Sequence, residues 1–181
     1  FYLVRHGESL GNIGMSGSAN SPLSPKGRLQ ASYCAKYLFE NNKEKTLIIS
    51  SPFLRCCQTA QIISEKTQSN IMLEPLLHEI FVENFFPNKI KFPSLREIAS
   101  SIPNAIGTYG NERWMPDKYE TADDLLMRAG ILRNRLLGGE FKDWNIICVG
   151  HWASLAALLK SMCDVEITSV SNCSVSKIVF N

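Results

Sequence analysis

Residues 1–8, FYLVRHGE in one-letter code, join a short apolar run directly to an arginine, a histidine and a glycine. The run over 1–4 is aromatic and β-branched, which is typical of a central strand in a parallel sheet. Parallel sheets bind ligands outside the carboxyl ends of their strands, and a glycine there lets the backbone approach a charged group. This stretch therefore predicts an anion-binding loop at the end of a buried strand.

Two further apolar runs, over 47–49 and 145–149, predict buried strands that also end in polar residues. The first of them leads to Ser51, with Arg55 about one helical turn further on, and the second leads to His151. Since the carboxyl ends of parallel strands meet at one edge of the sheet, all three ends are expected to face a common pocket.

Helical patterns separate these strands. Ser24 followed by Pro25 predicts the start of the first helix, whose buried face is expected to carry Leu29, Tyr33, Tyr37 and Leu38. A strand, a helix and a strand in this order imply a parallel pair, and thus an α/β fold. Further helices are predicted over 52–66, 121–137 and 152–162, and further short strands over 72–76 and 175–180.

Length and composition limit the possible functions. A chain of 181 residues predicts a single domain over 1–181. The formal net charge of +2 argues against nucleic-acid binding, and no apolar run approaches the roughly 20 residues that span a bilayer. Six cysteines without paired metal-ligand spacing predict free thiols in a reducing compartment, so we expect a cytoplasmic protein. The oligomeric state is not readable from the sequence.

The segment over 81–116 is the least regular part of the chain. It contains several aromatic residues, a short helical patch near 95–101, and four prolines, which are Pro87, Pro93, Pro103 and Pro116. We expect it to form a lid or a substrate-specificity insertion over the pocket. Lys89 and Lys91 in this segment could attract a polyanionic substrate or simply be solvated.

The side chains at the predicted strand ends suit a phosphoryl group. Guanidinium groups such as those of Arg5 and Arg55 donate to two oxygens at once and stay charged at any working pH. An imidazole such as that of His6 or His151 has an unperturbed pKa of about 6.5, so it is available as a nucleophile near neutrality. The pattern predicts a pocket for a dianionic phosphoryl group.

Four motifs in order resemble those of the histidine phosphatase superfamily, the phosphoglycerate mutase-like fold. They are residues 5–12 (RHGESLGN), 22–31 (PLSPKGRLQA), 50–60 (SSPFLRCCQTA) and 149–152 (VGHW), and they span most of the chain. Trp152 departs from the family, where a small residue is commoner. The resemblance implies a three-layer α/β sandwich with a mostly parallel central sheet and helices on both faces.

The resemblance also implies a role for each motif residue. His6 would attack phosphorus and become phosphohistidine, while Arg5, Arg55 and His151 hold the phosphoryl oxygens. Asn12 would add a polar contact to the phosphate or the substrate. Glu79 is the best positional match for the general acid, although Glu8, Glu74 and Glu83 are rivals. The family needs neither a cofactor nor a metal for this chemistry.

Several functions remain open at this point. The favoured one is a phosphomonoester hydrolase acting on a phosphorylated small molecule or a phosphoprotein. A phosphoglycerate mutase-type phosphotransferase is a second, although residues 80–84 depart from the Arg-Xaa-Xaa-Gly pattern that follows the acid in that branch. A third reading makes His6, His151 and Glu79 ligands of a divalent metal, but two nearby arginines would repel a cation. A fourth is a catalytically inactive phosphate-binding or interaction domain.

Overall fold

A computed structural model of the protein describes residues 1–42, 45–86, 92–109 and 114–180. The strands in chain order are β1 (Tyr2–Arg5), β2 (Thr46–Ser50), β3 (Asn70–Leu73), β4 (Ala105–Thr108), β5 (Asn145–Gly150) and β6 (Val175–Lys177). The helices are α1 (Pro25–Asn41), α2 (Leu54–Thr67), α3 (Leu95–Ser100), α4 (Ala122–Leu137) and α5 (Trp152–Cys163). Single 3-10 turns lie at Pro75–Leu77 and Gly139–Phe141.

The strands form one six-stranded sheet in the order β4-β3-β2-β5-β1-β6. All neighbours are parallel except β6, which runs antiparallel to β1 at one edge. In this register Arg5 lies opposite Gly150, and Ser50 lies opposite Val149. The carboxyl ends of β1, β2 and β5 therefore meet at one place, and the expected α/β fold with a mostly parallel sheet is confirmed.

Alternating side chains on the central strands fill two separate cores, one on each face of the sheet. Val4 and Ile48 pack on the face covered by α1 and α2. Leu3 and Ile49 pack on the opposite face, against leucines of α4 and α5. This strict alternation buries both faces of the central strands, as expected for strands sandwiched between helical layers.

Helix α1 presents a different face to the core from the one predicted. Leu29, Tyr33 and Tyr37 are exposed, and only Leu38 of the predicted set is buried. The buried face is made instead of small residues, which are Gly27, Ala31, Cys34 and Ala35. Small side chains let α1 lie close to the sheet and to α2, so size and not hydrophobicity alone decides which face is buried.

The segment over 81–116 contains a strand that the sequence did not reveal. β4 pairs with β3 in parallel, with a register irregularity between Ile71 and Met72. The short helix near 95–101 is present as α3, and Ser94 and Glu97 form a capping box at its start. Residues 87–91 and 110–113, including Lys89 and Lys91, lie outside the described part of the chain.

Helix α4 begins as its sequence indicates. The Thr121 hydroxyl accepts a hydrogen bond from the backbone of Asp124, whose carboxylate accepts one in return from the backbone of Thr121. Ala129, Leu132 and Leu136 are buried, whereas Leu126 is exposed. Across the four described ranges, none of the helices has the length and apolar content to span a membrane.

Candidate active site

His6 lies directly beyond the carboxyl end of β1 and is 1% exposed. Its backbone N–H donates to the Gly150 carbonyl over 3.0 Å, which continues the pairing of β1 with β5 by one residue. Asn172 donates to the His6 carbonyl over 3.0 Å from the other side. The imidazole is therefore carried by backbone that is hydrogen-bonded on both sides.

Hydrogen bonds define the tautomer of His6. Nδ1 lies 2.7 Å from the Gly7 carbonyl oxygen, which can only accept, so Nδ1 carries the hydrogen. Nε2 keeps its lone pair and accepts from Nε of Arg55 over 3.2 Å. Burial, and then the positive charge of Arg55, lower the pKa of His6 well below its ordinary value. The ring is therefore neutral near pH 7, with Nε2 as its nucleophilic atom.

Arg55 lies in the first turn of α2 and joins the two pocket histidines. Its Nη2 donates to Nδ1 of His151 over 3.1 Å, while its Nη1 donates to the Ala19 carbonyl over 2.8 Å. The guanidinium also lies over the ring of Phe53, 4.6 Å from its centroid. Contacts on three nitrogens and one face fix the orientation of this guanidinium.

His151 follows β5 and is fully buried. Because Nδ1 accepts from Arg55, Nε2 carries the hydrogen and donates to the Ser51 hydroxyl over 3.1 Å. Burial, and then the charge of Arg55, lower the pKa of His151 well below its ordinary value. This imidazole is also neutral, and its Nδ1 lone pair is on the side that Arg55 occupies.

Arg5, the last residue of β1, is anchored at one end of its guanidinium. Nη1 donates to the Val170 carbonyl in the chain between α5 and β6. Nε is buried and has no hydrogen-bond partner among the residues that the structure describes. A buried N–H without a partner is costly, so this donor suits an oxygen of a bound ligand.

Glu79 lies on a loop after the 3-10 turn at Pro75–Leu77. Its Oε2 is 3.8 Å from Nδ1 of His151, and its Oε1 accepts from the backbone N–H of Ile80 over 3.0 Å. Burial raises the pKa of the Glu79 carboxyl, and the charges of Arg55 and Arg5 only partly offset this rise. A carboxyl group of this kind can hold a proton for donation.

The three rival carboxylates are engaged elsewhere. Glu8 accepts from the Ser24 hydroxyl over 2.7 Å and pairs with Lys26 over 3.0 Å. Glu74 is buried and paired with Arg135, and Glu83 is exposed. Among the described residues that line the pocket, Glu79 supplies the carboxylate.

The loop that carries Glu79, residues 78–81, is held by an ion pair between Glu120, which precedes α4, and Arg128 of α4, and we refer to it as the acid loop. Glu120 accepts from the backbone N–H of Phe81 over 2.8 Å. Arg128 binds Glu120 in a bidentate manner, over 2.7 and 3.1 Å, and donates to the Leu76 carbonyl over 2.7 Å. His78 is buried beside this pair and faces away from the described pocket lining.

Two glycines allow the loop after β1 to lie against the start of α1. A Cβ on Gly7 would be 2.4 Å from the Gly27 carbonyl oxygen, and a Cβ on Gly27 would be 1.9 Å from the Glu8 carbonyl oxygen. Neither distance is possible for a real side chain. Glycine at both positions is therefore a steric requirement of the backbone next to His6.

The strand ends open into a pocket of about 530 Å³. Arg5, His6, Arg55 and Glu79 lie at its base, and Asn12 is in its lining. The Asn12 side-chain oxygen accepts from the backbone N–H of Ser9 over 3.0 Å, which closes the turn after the first motif. The remaining lining comes from Ser9, Gly11, residues 16–19, Ser21, residues 84–86, Trp152 and residues 168–170.

The pocket is a poor metal site. The lone pairs of His6 Nε2 and His151 Nδ1, which a cation would need, both face N–H groups of Arg55. Over the described ranges, no three His, Cys, Asp or Glu side chains are grouped so that they could hold a metal ion. A positive guanidinium between the candidate ligands favours an anion as the guest.

Several residues that build the pocket, Ser51 excepted, were not singled out from the sequence. Phe53 packs edge to face on His151, with centroids 4.9 Å apart, and Ser51 fixes the tautomer of the same ring. Three further contacts come from residues distant in the sequence: Val170 binds Arg5, Glu120 binds the backbone of Phe81, and Arg128 binds the Leu76 carbonyl. Only Ser51 had a local signal, since it follows an apolar strand within the second motif.

The fold and the cluster of histidines and arginines at the edge of its sheet define the histidine phosphatase class of α/β protein. The family model of the histidine phosphatase superfamily, branch 1, matches residues 1–181. The chain belongs to this superfamily.

Curated relatives match over part of their length. A protein of Proteus mirabilis named probable phosphoglycerate mutase GpmB is 38% identical over 81 residues, which cover 44% of this chain and 37% of that protein. The GpmB protein of Escherichia fergusonii is 41% identical over 81 residues, with the same coverage. The match thus spans little more than a third of the length of these relatives.

Solved structures share the fold over nearly the whole chain. The ecdysone phosphate phosphatase of Bombix mori has a TM-score of 0.75 at 21% identity, covering 96% of this chain and 86% of that one. A mycobacterial glucosyl-3-phosphoglycerate phosphatase has a TM-score of 0.67 at 23% identity, covering 97% and 88%. At this level of identity the likeness concerns the fold.

Proposed function

We propose that this protein is a phosphomonoester hydrolase that works through a covalent phosphohistidine at His6. The observation that carries the proposal is the state of His6 Nε2: a buried, neutral imidazole nitrogen with its lone pair directed at the Arg55 guanidinium. A phosphoryl group that binds Arg55 is brought to this atom. The substrate is a phosphorylated small molecule or a phosphoprotein.

The first chemical step transfers the phosphoryl group to the enzyme. Nε2 of His6 attacks phosphorus, the Nε2–P bond forms and the bond from phosphorus to the ester oxygen breaks. Glu79 gives a proton to the departing oxygen from its protonated form, which burial favours by raising the pKa of the carboxyl. The products of this step are a neutral alcohol, ionised Glu79 and phosphohistidine.

The second step releases phosphate. Glu79 removes a proton from a water molecule as the water oxygen attacks phosphorus, and the Nε2–P bond breaks. Inorganic phosphate leaves, and both His6 and Glu79 return to their starting protonation states. Arg5 and Arg55 hold the equatorial oxygens through both steps, with Asn12 as a further polar contact, and His151 joins them when its Nδ1 carries a hydrogen. Arg55 then gives up its hydrogen bonds to the imidazoles for bonds to phosphate oxygens.

A mutase is the second candidate because the curated relatives are named probable phosphoglycerate mutase. A mutase would keep phosphohistidine and return the group to the bound phosphoglycerate. Two features favour hydrolysis: residues 80–84, IFVEN, lack the mutase-type pattern after the acid, and the structural relatives named above are phosphatases.

A labelling experiment tests the proposal. Wild-type protein given a phosphate-labelled alkyl ester should form an acid-labile phosphoenzyme and release phosphate, whereas His6→Ala should form none and lose at least about 10³-fold in kcat. His78→Gln, at the histidine outside the pocket lining, is the matched control and should still be labelled.

Four other results would decide against the proposed mechanism or activity. Turnover by His6→Ala at the wild-type rate would overturn the phosphohistidine. Conversion of labelled 3-phosphoglycerate to its 2-isomer faster than to free phosphate would indicate a mutase. If the protein binds phosphate but is neither labelled by nor active on any ester, it is an inactive phosphate-binding domain. Loss of activity in excess chelator would indicate that His6, His151 and Glu79 bind a divalent metal.

A further inference from the structure

We infer that the pocket selects phosphomonoesters whose alcohol is uncharged and carries an aromatic or similarly flat apolar group. The inference rests on the proposed hydrolase function and adds a substrate class to it. It comes from two exposed aromatic rings that line the same pocket as the phosphoryl-binding residues.

The cationic side chains in the described lining fit one phosphoryl group. Among the described residues that line the pocket, the cationic side chains are Arg5 and Arg55, and both lie at the phosphoryl end beside His6. The carboxyl group of Glu79 is at the same end. A carboxylate or a second phosphate on the substrate would lose its hydration without meeting a cation in this lining, which is unfavourable.

Two aromatic rings line the pocket without being part of the core. Trp152 is 40% exposed and Phe85 is 55% exposed. Phe86 also lines the pocket, but it is 2% exposed and packs on the buried ring of Phe53, so its role is structural. Large exposed rings in a concave site are suited to stack against a flat apolar ligand.

The position of Trp152 couples it to the phosphoryl site. It directly follows His151 and is the first residue of α5, whose start is fixed by the bond from the His151 backbone N–H to the Ser154 hydroxyl over 3.1 Å. Trp152 and His6 line the same pocket, so the alcohol of a phosphoryl group bound at His6 can meet this indole ring. Selectivity in this position acts on the group next to the breaking bond.

The rest of the lining supplies hydroxyl groups to a neutral alcohol. The Ser16 hydroxyl oxygen accepts from the backbone N–H of Ser18, and the Ser18 hydroxyl oxygen accepts from that of Asn20. Each hydroxyl keeps its own hydrogen to donate. Thr168 and Ser169 extend this polar lining. The hydroxyl groups or ether oxygens of an uncharged substrate can thus form hydrogen bonds here, beside its apolar part.

Three phosphate esters whose alcohols are similarly basic distinguish the effect of an aromatic ring on kcat/KM from the effect of a second negative charge. Wild-type kcat/KM should be highest for benzyl phosphate, lower by about tenfold for glycerol 3-phosphate, which lacks the ring, and lowest for 3-phosphoglycerate, which adds a carboxylate. Because all three are alkyl esters, differences in leaving-group chemistry contribute little to this order.

Variants of the two rings test the assignment. Trp152→Ala and Phe85→Ala should each lower the ratio of kcat/KM for benzyl phosphate over glycerol 3-phosphate by about tenfold. Trp152→Phe keeps an aromatic ring at this position and should keep most of the ratio. This control distinguishes loss of the ring from a disturbance of the neighbouring His151. Tyr33→Ala, at an exposed aromatic of α1 outside this pocket, is the matched control and should leave the ratio unchanged.

The inference is overturned if 3-phosphoglycerate is turned over as well as benzyl phosphate, or if neither ring variant changes the ratio. Failure of the hydrolase proposal looks different, since no ester would then release inorganic phosphate through a labelled His6. If all three esters are hydrolysed through a labelled His6 and kcat/KM does not depend on the aromatic ring, the inferred substrate class is wrong and the hydrolase proposal stands.

Discussion

The two halves of the pocket are fixed by different kinds of contact. The strand-end half consists of Arg5, His6, His151 and Arg55, which follow β1, β5 and β2 and take their positions from the backbone of the sheet. Glu79 stands instead on the acid loop, which is held by the buried ion pair of Glu120 and Arg128.

In the proposed mechanism this difference separates phosphoryl binding from proton transfer. Backbone pairing across a buried sheet resists any single side-chain substitution, so the strand-end half should be damaged only by changes to its own side chains. The acid loop depends on a side-chain pair that one substitution can break. We therefore expect loss of function by two routes, which the following predictions separate.

The largest effect is expected in the strand-end half, at Arg55. Arg55→Lys keeps the charge, but one ammonium group cannot replace the three donors directed at His6, His151 and the Ala19 carbonyl. We expect kcat/KM for alkyl phosphates to fall by roughly 10³-fold, with little change in the thermal unfolding midpoint. Steady-state kinetics and a melting curve measure the two quantities. A fall of less than tenfold would show that Arg55 contributes only its charge.

A smaller and more selective effect is expected at Glu79. Glu79→Gln should lower kcat for an alkyl phosphate by about 10²-fold. The loss should be smaller for the phosphorylation step with 4-nitrophenyl phosphate, since nitrophenolate leaves without a proton. Because water attack also needs Glu79, the variant should accumulate phosphoenzyme, seen as a burst of nitrophenolate.

The pH profile of Glu79 has a defined sign. A general acid acts while it is protonated, so kcat/KM for alkyl esters should fall as pH rises through the pKa of Glu79, which burial raises above its ordinary value. This descending limb should disappear in Glu79→Gln. An unchanged limb in the variant would assign the acid to another group.

The smallest effect on catalysis is expected in the support of the acid loop. Arg128→Met leaves the Glu120 carboxylate buried without its partner, so the free energy of unfolding should fall by roughly 3–5 kcal/mol. Slight displacement of Glu79 should lower kcat for alkyl esters by about tenfold, and less for 4-nitrophenyl phosphate.

A double variant distinguishes the loss of support for the acid loop from general destabilisation of the protein. In Arg128→Met/Glu120→Gln the unpaired charge is gone, so part of the stability should return. Chemical denaturation of the single and double variants gives both values. Equal loss for alkyl and nitrophenyl esters in Arg128→Met would contradict a positioning role, because it would place the damage in the strand-end half.

The strand-end half of the pocket could be predicted from the sequence because its signals are local. β1, β2 and β5 were predictable because each is an unbroken apolar run followed by polar residues, and the histidines and arginines of the strand-end half lie within a few residues of those runs. The positions of these residues needed only the rule that parallel strands share an edge.

Other features depend on residues far apart in the chain. Nothing near Glu120 indicates that it binds the backbone of Phe81, 39 positions away. β4 is short and lies in a proline-rich segment, so it carries little strand pattern of its own. The buried face of α1 was misjudged because close packing against α2 selected small side chains over large apolar ones.

The pairing of β1 has a consequence for how the protein folds. β1 lies between β5 and β6, and the Asn172 side chain, 166 positions away, donates to the His6 carbonyl. The strand that carries His6 thus has no sheet partner from the first half of the described chain. Such distant contacts slow folding, since a long loop must close before any of them forms. During synthesis β1 must wait for residues 145–177, which carry both of its sheet partners, before the pocket beside His6 can form.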